Sequence, residues 1–412
     1  MTIIGFMEGT HRSKGGLGLV GVPTILGGVA GRGHRVALVT SGGCTPGRER
    51  FLTGSLDEAL KRKEGVGNFG MVAFKSGGAW GFSPWMLWKV SHYVRNADFV
   101  SLHSLYSFPV LAGYLLARFH NVPYGVWPHG VLANVQRRIS ARKKRIYDAL
   151  VGRSILNKAD VLFFSAVGER ADSVSLGLRA PSVIIPDGID LSDFAALPST
   201  GRFRAKYFPG HSGPLVVSIG RLNPKKGLDL LIQSMSIVMK RRPDVRLAII
   251  GPPDPVDYLE RVMAHLRNLQ MEARTVVTGT IEPREKLEAL VDADVFVSAS
   301  EAENFGYSIF EAMACEKAVV VSDTIDYAGE ICRTGAGLAV PRDIAGFATA
   351  VERLLVDQDL REAMGKQGRR LAESYSWVNT GAKLERAIQS VLERRPLPTD
   401  LTMAASARVE GN

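Results

Sequence analysis

The stretch DVFVSASEAENFGYSIFEAMA, residues 294–314, decides the fold class of this 412-residue chain. It opens with an apolar, β-branched run that is typical of a parallel-sheet strand buried on both faces. Two carboxylates, Glu303 and Glu311, follow on either side of a glycine turn. In an open α/β sheet, ligands bind where strands end and helices begin, because helix amide groups point into that crevice. The stretch therefore predicts an α/β fold with a ligand site at this junction.

Two interpretations of the glycine turn are open. A carboxylate in the loop can accept a hydrogen bond from a sugar hydroxyl and one further on from a ribose, while Gly306 lets backbone approach the ligand. That combination suits a nucleotide sugar. Ser308 and Glu311 also fit a capping box, in which serine caps the helix and glutamate bonds back to the serine amide. On spacing alone the two interpretations carry equal weight.

Composition fits two globular domains. The chain is 46% hydrophobic and has 43 glycines, which is enough for two cores. Cys44, Cys315 and Cys332 are too few and too widely spaced for a metal knuckle or a secreted disulfide scaffold, which favours a reducing cytoplasm. The sequence shows no signal-peptide pattern and no membrane-spanning apolar run. The net charge of +10 points to anionic partners, and nothing else favours nucleic acid.

Short apolar runs alternate with helical patterns along the chain, which predicts two doubly wound domains with parallel sheets. A segment rich in proline, glycine, serine and charge at 191–214 marks the boundary between them. Helical patterns follow from 345 to about 393, and the polar tail from 395 is expected to be disordered. The predicted strands are residues 2–8, 34–41, 71–74, 99–103, 124–128, 161–165, 183–186, 215–219, 246–251, 275–278, 295–299, 319–322 and 337–340.

Three further loops carry candidate site residues. Gly15 and Gly16 precede a helical pattern and would let helix amides face an anion, and a plain tight turn fits them equally well. His129 ends the strand YGVWP, where an imidazole would reach a sugar or phosphate, whereas a lone histidine is more often satisfied by nearby backbone. Asp187 with Gly188 is first of all a turn signal.

Cations gather where the strand LVVSIGRL meets the next helix. Arg221, Lys225 and Lys226 lie against a helix N-terminus, which repels cations unless an anion joins them, so the pattern favours a diphosphate over a solvated loop. Asp292 and Asp294 form an Asp-x-Asp pair that resembles a metal signature. They precede a strand and so belong to the edge opposite the ligand crevice. No metal site is predicted.

Together these segments resemble the retaining glycosyltransferases of family 4, which have the GT-B fold. The resemblance covers nearly the whole chain and rests on the order and spacing of the motifs. Two doubly wound Rossmann-like parallel-sheet domains facing a cleft are what it implies. The motifs are the glycines at 15 and 16, PHG at 128–130, PDGID at 186–190, GRLNPKKG at 220–227 and ENFGYSIFEAMA at 303–314.

The resemblance implies a domain plan and a chemistry. Residues 1–190 would hold the acceptor, 191–376 the nucleotide-sugar donor, 377–394 would form a helix crossing back to the first domain, and 395–412 the tail. It implies a nucleotide-diphosphate sugar as donor substrate, no separate cofactor and no metal. An acceptor that is a glycan or is lipid-linked, as in surface polysaccharide biosynthesis, would be glycosylated with retention of anomeric configuration.

Site roles follow from the resemblance position by position. Arg221 and Lys226 would neutralise the donor diphosphate, Glu303 would contact the donor sugar and Glu311 the ribose. His129 would contact the sugar from across the cleft. The remaining substrate-binding positions are Gly15 and Gly16, which leave room near the diphosphate, together with Asp187, Asn304, Phe305, Gly306 and Tyr307.

The chain departs from the family pattern at three places. Glu316 and the two residues after it stand where Gly-x-Pro is frequent, and Asp187 stands where asparagine is usual. The turn TIDYA at 324–328 puts an acid and a bulky tyrosine near the expected donor site. Because of these differences the sequence does not identify the donor base or sugar.

Two other functions and one surface stay open. A nucleotide-sugar 2-epimerase would have two such domains without an acceptor groove, and a non-catalytic sugar-nucleotide-binding regulator could dispense with His129 and Glu303. The basic segment at 135–153 fits a solvated helix face and peripheral attachment to an anionic inner-membrane surface equally well. Its cations are Arg137, Arg138, Arg142, Lys143, Lys144 and Arg145, and its apolar positions at helical spacing are Val135, Ile139, Ile146 and Leu150.

Overall fold

The computed structural model describes residues 1–8, 21–42, 53–61, 69–77, 80–132, 137, 140–174 and 176–402. The chain divides into two compact units. Unit 1 comprises Met1–Gly188 and the segment from Tyr375 onward, and unit 2 comprises Ile189–Ser374. The sequence had placed this boundary after residue 190.

Unit 1 is built on a seven-stranded parallel sheet in the order β3-β2-β1-β4-β5-β6-β7. The order reverses between β1 and β4, which is the hallmark of a doubly wound sheet. Its apolar strands are buried on both faces, as their continuous hydrophobic runs predict. The strands are β1 Thr2–Glu8, β2 Arg35–Ser41, β3 Phe69–Phe74, β4 Phe99–His103, β5 Tyr124–Trp127, β6 Val161–Phe164 and β7 Ser182–Ile184.

Unit 2 repeats this plan with six parallel strands in the order β10-β9-β8-β11-β12-β13. Its order reverses between β8 and β11, so the loops after these two strands border the ligand crevice of this type of sheet. The strands are β8 Leu215–Ile219, β9 Arg246–Ile250, β10 Thr275–Val277, β11 Val295–Ser298, β12 Ala318–Ser322 and β13 Gly337–Val340. All thirteen strands predicted from the sequence are present, with ends within two residues, and the doubly wound α/β class is confirmed.

Helices cover both sheets among the described residues. Those of unit 1 are α1 Gly21–Ala30, α2 Leu56–Lys61, α3 Trp85–Arg95, α4 Phe108–His120, α5 Ala141–Tyr147, α6 Arg153–Asn157 and α7 Val167–Val174, with a π-helical turn, Asp148–Gly152, joining α5 to α6. Those of unit 2 are α8 Arg202–Tyr207, α9 Leu228–Arg241, α10 Tyr258–Asn268, α11 Pro283–Asp292, α12 Tyr307–Ala314, α13 Ala328–Arg333, α14 Ile344–Val356 and α15 Gln358–Ser374. Short 3₁₀ turns occur at Leu191–Phe194, Pro224–Lys226 and Glu272–Arg274.

The C-terminal helix α16, Trp377–Leu392, returns to unit 1 and packs on α1. Two glycines make this close crossing feasible. A Cβ on Gly28 would lie 2.5 Å from the Trp377 carbonyl oxygen, and one on Gly381 would lie 2.4 Å from the Gly28 carbonyl. Leu384 and Ile388 then join the core on that face of the sheet.

The structure continues in order beyond residue 394, so the prediction of a disordered tail is wrong for 395–402. A short helix, α17 Thr399–Thr402, buries Leu401, which is 3% exposed. Arg170 donates a hydrogen bond of 2.6 Å to the Thr402 carbonyl, and Arg386 forms an ion pair of 2.7 Å with Asp400. Two apolar residues, buried Leu401 and partly buried Leu397, anchor the segment on the core, which composition alone does not reveal. Residues 403–412 lie outside the described ranges.

Within the described ranges, every helix is too short or too polar to cross a bilayer. Cys315 and Cys332 are free thiols, the first buried and the second exposed.

Candidate active site

The loops after β8 and β11 meet at the switch point of unit 2. Gly227 adopts the left-handed φ of 64° and starts helix α9 directly behind the 3₁₀ turn. A Cβ there would lie 2.1 Å from the Ala299 carbonyl oxygen, so only glycine permits this approach. A small pocket opens between the loops, lined among others by Ser218, Gly220, Arg221, Lys226, Ser298 and Ser300.

Lys226 and Glu303, which the sequence assigned to different parts of a donor, contact each other at this pocket. The Lys226 ammonium forms an ion pair with Glu303 Oε1. Ser300 donates a hydrogen bond of 2.8 Å to the same oxygen, and its hydroxyl lies 3.1 Å from that of Ser298. Glu303 is thereby held by a cation and a hydroxyl beside the pocket.

The other two charged residues predicted for the site, Arg221 and Glu311, also form ion pairs. Arg221 pairs with Asp254, and Lys286 Nζ lies 2.6 Å from Glu311 Oε1. Asp254 and Lys286 were not predicted from the sequence, because each comes from a separate βα unit. An anionic ligand would therefore compete with carboxylates for its cations. The three pairs are partly exposed, so the cost of exchanging partners is modest.

The capping-box interpretation of residues 308–311 is wrong. Helix α12 begins at Tyr307, and Gly306 precedes it with a left-handed φ of 79°. The Ile309 amide donates a 2.8 Å hydrogen bond to the Gly306 carbonyl oxygen. Ser308 is therefore the second helical residue, and Glu311 projects to Lys286 instead of back to the helix start. The glycine conformation starts the helix earlier than the local pattern suggested.

An aromatic cluster supports the loop behind Glu303. Phe305 stacks on Phe310 with ring centroids 4.1 Å apart and planes 7° apart, and Tyr327 packs edge-on against both. The Phe305 side chain is buried there, so it supports the loop and is not brought to the pocket. Tyr327, which the sequence placed near the expected donor site, belongs to the same cluster. Asn304 and Tyr307 are half-buried beside it.

One departure from the family pattern has a local structural counterpart. Glu316 takes a left-handed φ of 58°, the conformation that glycine adopts without strain. Its carbonyl lies where Gly365 of α15 comes close, since a Cβ on Gly365 would be 2.1 Å from the Glu316 oxygen. Lys317 donates a 2.6 Å hydrogen bond to the Val291 carbonyl. These contacts hold the segment after α12 without the Gly-x-Pro sequence.

In unit 1, His129 follows β5 in a tightly held turn. His129 and Gly130 both have positive φ, 52° and 76°. The Gly130 amide donates to Glu169, which also accepts hydrogen bonds of 2.9 and 2.8 Å from the amide and hydroxyl of Ser165. Burial raises the pKa of Glu169. The carboxyl group thus ties the turn to the start of α7.

The side chain of His129 bonds to another side chain, so the interpretation of a histidine satisfied by backbone is wrong. Its Nε2 lies 3.1 Å from His103 Nδ1, and His103 Nε2 lies 3.0 Å from the Ser101 hydroxyl. Burial lowers the pKa of His129 to about 4 and that of His103 well below its usual value. Both imidazoles are therefore neutral near pH 7. His103 ends β4, beside β5, and was not predicted from the sequence as a partner of His129.

The remaining predicted residues fall elsewhere. Asp187 is buried in unit 1, in a loop that α16 holds by two hydrogen bonds. Trp377 Nε1 donates a hydrogen bond of 2.8 Å to the Gly188 carbonyl, and the Thr380 hydroxyl donates one of 3.1 Å to the Pro186 carbonyl. Gly15 and Gly16 lie outside the described residues.

The Asp-x-Asp pair, Asp292 and Asp294, has a structural role, which agrees with its predicted place at the opposite edge. Its carboxylates accept hydrogen bonds from the amides of Gly201, Arg204 and Leu215 and from the Arg204 guanidinium.

Two doubly wound units with polar strand-end loops have the architecture of the GT-B fold. A model of the family described as Glycosyltransferase Family 4 matches residues 22–193, and one described as Glycosyl transferases group 1 matches residues 200–371. The chain belongs to this group 1, family 4 glycosyltransferase family.

Curated relatives agree with that assignment, and a solved structure agrees with the fold. D-inositol 3-phosphate glycosyltransferase of Kineococcus radiotolerans is 28% identical over 73% of this chain and 74% of its own length. The GDP-mannose-dependent alpha-(1-6)-phosphatidylinositol monomannoside mannosyltransferase of Mycolicibacterium smegmatis is 32% identical over 59% of this chain and 65% of its own. HepE of Anabaena, solved in complex with UDP, shares the fold with a TM-score of 0.72 at 18% identity, covering 95% of this chain and all of that one.

Acid should destabilise unit 1 through His129. Its folded pKa of about 4 lies below the value near 6.5 of an unfolded histidine. The unfolded state therefore binds more protons between these values, and the free energy of unfolding falls as the pH drops from about 6.5 toward 4. Calorimetry should show that the Tm of His129→Asn falls less steeply over this range than that of the wild type. Exposed His92→Asn is the control and should keep the wild-type slope. Parallel slopes for wild type and His129→Asn would contradict the assignment.

Proposed function

We propose that the protein transfers a sugar, with retention of configuration, from a nucleotide-diphosphate sugar bound by unit 2 to a hydroxyl of a lipid-linked or glycan acceptor. Arg221 and Lys226 line one pocket at the switch point and Glu303 pairs with Lys226 beside it, and this arrangement carries the proposal. Cations at the N-terminal side of α9 suit a diphosphate, and a carboxylate beside them suits a sugar hydroxyl. Glu311, on the next helix of the same crevice, is assigned to the ribose.

The proposed mechanism uses the ion pairs as exchangeable partners. When the diphosphate binds, Lys226 turns from Glu303 to a phosphate oxygen, and Glu303 becomes free to accept from a sugar hydroxyl. The bond between the sugar and the diphosphate breaks with oxocarbenium-like character, and Arg221 and Lys226 stabilise the charge on the leaving group. One preorganised donor of this kind contributes about 3 to 4 kcal/mol. The leaving phosphate oxygen takes the acceptor proton, so attack occurs on the face it vacates.

This chemistry needs no metal, because two cationic side chains already serve the diphosphate. For the acceptor, the names of the relatives support a glycolipid or inositol-type hydroxyl. A role in assembling cell-surface glycans is proposed on the same ground. The names of those relatives do not determine the donor sugar of this chain.

The test begins with UDP-, GDP- and ADP-sugars as thermal stabilisers. A ligand at about one hundred times its dissociation constant adds roughly 2.7 kcal/mol to the free energy of unfolding. The stabilising donor is then incubated with phosphatidylinositol and glycan acceptors, and the anomeric configuration of the product is determined by NMR. We expect retention, with full activity in a chelator. An inverted product, or activity abolished by chelation and restored by manganese, would contradict the proposal. A sugar converted without any acceptor would indicate an epimerase.

Lys226→Ala should lower turnover at least tenfold with little change in Tm, because the side chain is partly exposed and acts on the leaving group. Lys225→Ala, which removes the exposed neighbouring cation, is the matched control, and its turnover should stay within about twofold of the wild type.

Glu303→Gln should reduce transfer while leaving nucleotide affinity unchanged or higher, since Lys226 loses its competing partner. Glu311→Gln should weaken nucleotide binding first. Full turnover in both Lys226→Ala and Arg221→Ala would contradict the assignment of these two cations to the donor diphosphate.

Peripheral membrane attachment is the second part of the proposal, and an exposed tryptophan face of unit 1 supports it. Trp85 and Trp88 lie one turn apart on α3 and are 69% and 75% exposed, while Met86, Val90 and Val94 bury the opposite face. Lipid headgroup layers favour such tryptophans, because the indole ring is apolar with one polar edge.

The basic helix packs against the segment that precedes α3 in the chain. Trp80 packs edge-on against Tyr147, the last residue of α5, with centroids 6.3 Å apart. Ile146 and Leu150 of the basic segment face solvent instead of the core, and Leu150 is 79% exposed. A helix that is merely solvated would turn these apolar side chains inward. Arg137 and α5 lie within the described residues, whereas Val135, Arg138 and Ile139 do not.

Co-sedimentation with vesicles should therefore show preference for anionic over neutral lipid at low salt. Replacing Arg142, Lys143, Lys144 and Arg145 with glutamine should weaken binding to anionic vesicles at least tenfold, since each cation contributes on the order of 1 kcal/mol at such a surface. Trp85→Ser with Trp88→Ser should weaken binding at both low and high salt.

The matched control removes the same charge from exposed positions of unit 2. Glutamine at Lys240, Arg267, Lys366 and Arg370 should leave vesicle binding within about twofold of the wild type, because general charge is screened beyond about 10 Å. Equal binding of the wild type to both vesicle types, or equal losses of binding in the two charge variants, would show that the basic segment is only a solvated helix face.

A further inference from the structure

Ser101, His103 and His129 form one buried hydrogen-bonded chain in unit 1. The two imidazole planes differ by 15° and their centroids are 5.4 Å apart, with facing nitrogens 3.1 Å apart. At that separation the rings meet edge to edge in nearly one plane, which aligns the nitrogens for a hydrogen bond. The chain ends at His129 Nδ1, which is buried and lacks a hydrogen-bond partner in the described part of the molecule.

The protons of this chain have two self-consistent arrangements, because each neutral imidazole carries one N–H. In the first, the Ser101 hydroxyl donates to His103 Nε2, His103 Nδ1–H donates to His129 Nε2, and His129 presents Nδ1–H at the end of the chain. In the second, every bond is reversed, and His129 presents a bare nitrogen lone pair. The tautomer of His129 is therefore coupled to the direction of the Ser101 bond.

Ser101 favours the first arrangement. Its side chain is buried in the middle of β4, and His103 is its hydrogen-bond partner within the described ranges. In the reversed chain the Ser101 proton would have no acceptor among these residues, and a buried donor without a partner is unfavourable. Each arrangement leaves one buried donor over among the described residues, and in the first this donor is His129 Nδ1–H, at the end of the chain, where a ligand oxygen would satisfy it.

We propose that His103, with Ser101, is a positioning residue that holds neutral His129 in its Nδ1–H tautomer, so that His129 donates a hydrogen bond to an oxygen of the bound substrate. His129 then acts as a hydrogen-bond donor and not as a base. This inference deepens the proposed function and rests on it for the identity of the substrate oxygen. The tautomer depends on an oxygen at His129 Nδ1 and not on turnover, so it is measured without any reaction.

The tautomer is tested directly on the full chain with the stabilising nucleotide sugar bound and no acceptor present. Two-bond proton–nitrogen NMR spectra of protein labelled with ¹⁵N-histidine distinguish a protonated ring nitrogen from a bare one, and the spectrum of His129→Asn assigns the signals. We expect Nδ1 of His129 to be protonated and Nε2 to be bare, with Ser101→Ala giving a mixture of both forms. Protonation at Nε2 in the wild type would overturn the proposal, whatever reaction the protein catalyses.

Two nearly isosteric variants test the consequence for catalysis. In His103→Asn the amide nitrogen can take the place of Nδ1 and still donate to His129, whereas in His103→Asp the carboxylate can only accept and forces the opposite tautomer. We expect His103→Asn to keep kcat/KM within about tenfold of the wild type and His103→Asp to lose at least a hundredfold, in the direction known for wrong-tautomer variants.

The pH profile separates positioning from a merely structural role. A carboxylate beside His129 raises the pKa of the imidazole, so His103→Asp should also shift the acid limb of kcat/KM to higher pH, while His103→Asn should not. Equal activities for folded Asn and Asp variants, with identical pH profiles, would refute the positioning role. If the Asp variant does not fold, the NMR assignment of the wild type still decides the question.

Discussion

Burial of both sheets on both faces is the constraint on which the rest of this structure depends. A parallel strand covered by helices on each side leaves no room for unpaired polar side chains along its length. Most polar chemistry therefore lies at strand ends, and Ser101 in the middle of β4 is paired with His103. His103 and His129 follow neighbouring strands of unit 1, and Arg221 and Ser300 follow the two strands at the switch point of unit 2. Each unit thus collects its reactive groups at one edge of its sheet.

At the candidate site of unit 2, the predicted charged residues form ion pairs. Lys226 with Glu303, Arg221 with Asp254, and Lys286 with Glu311 each join groups from different βα units. Pairing keeps the loops ordered and lowers the repulsion that cations meet at a helix N-terminus. It also suits an anionic ligand, which replaces one partner at modest cost because the pairs remain partly exposed. Unit 1 uses neutral, buried imidazoles instead, where burial lowers the pKa of both histidines.

Local pattern was enough for the strands and for the positions of most candidate groups, and it failed where a long-range contact decides. All thirteen strands follow from apolar runs, because each run carries its own burial requirement. The capping box at Ser308 fitted the local rule, yet the left-handed Gly306 starts the helix earlier. Phe305 stood inside the most informative motif, but its ring faces an aromatic cluster and not the pocket.

By itself, then, the sequence determined the doubly wound fold, the glycosyltransferase family and the strand ends that bear polar residues. These follow from periodicity, glycine placement and motif order, which are properties of neighbouring residues. Only the tertiary structure decided the partners: His103 for His129, Asp254 for Arg221 and Glu303 for Lys226. Such pairs form between strands and loops far apart in the chain, and which ones meet depends on sheet order and side-chain packing. For that physical reason no local pattern encodes them.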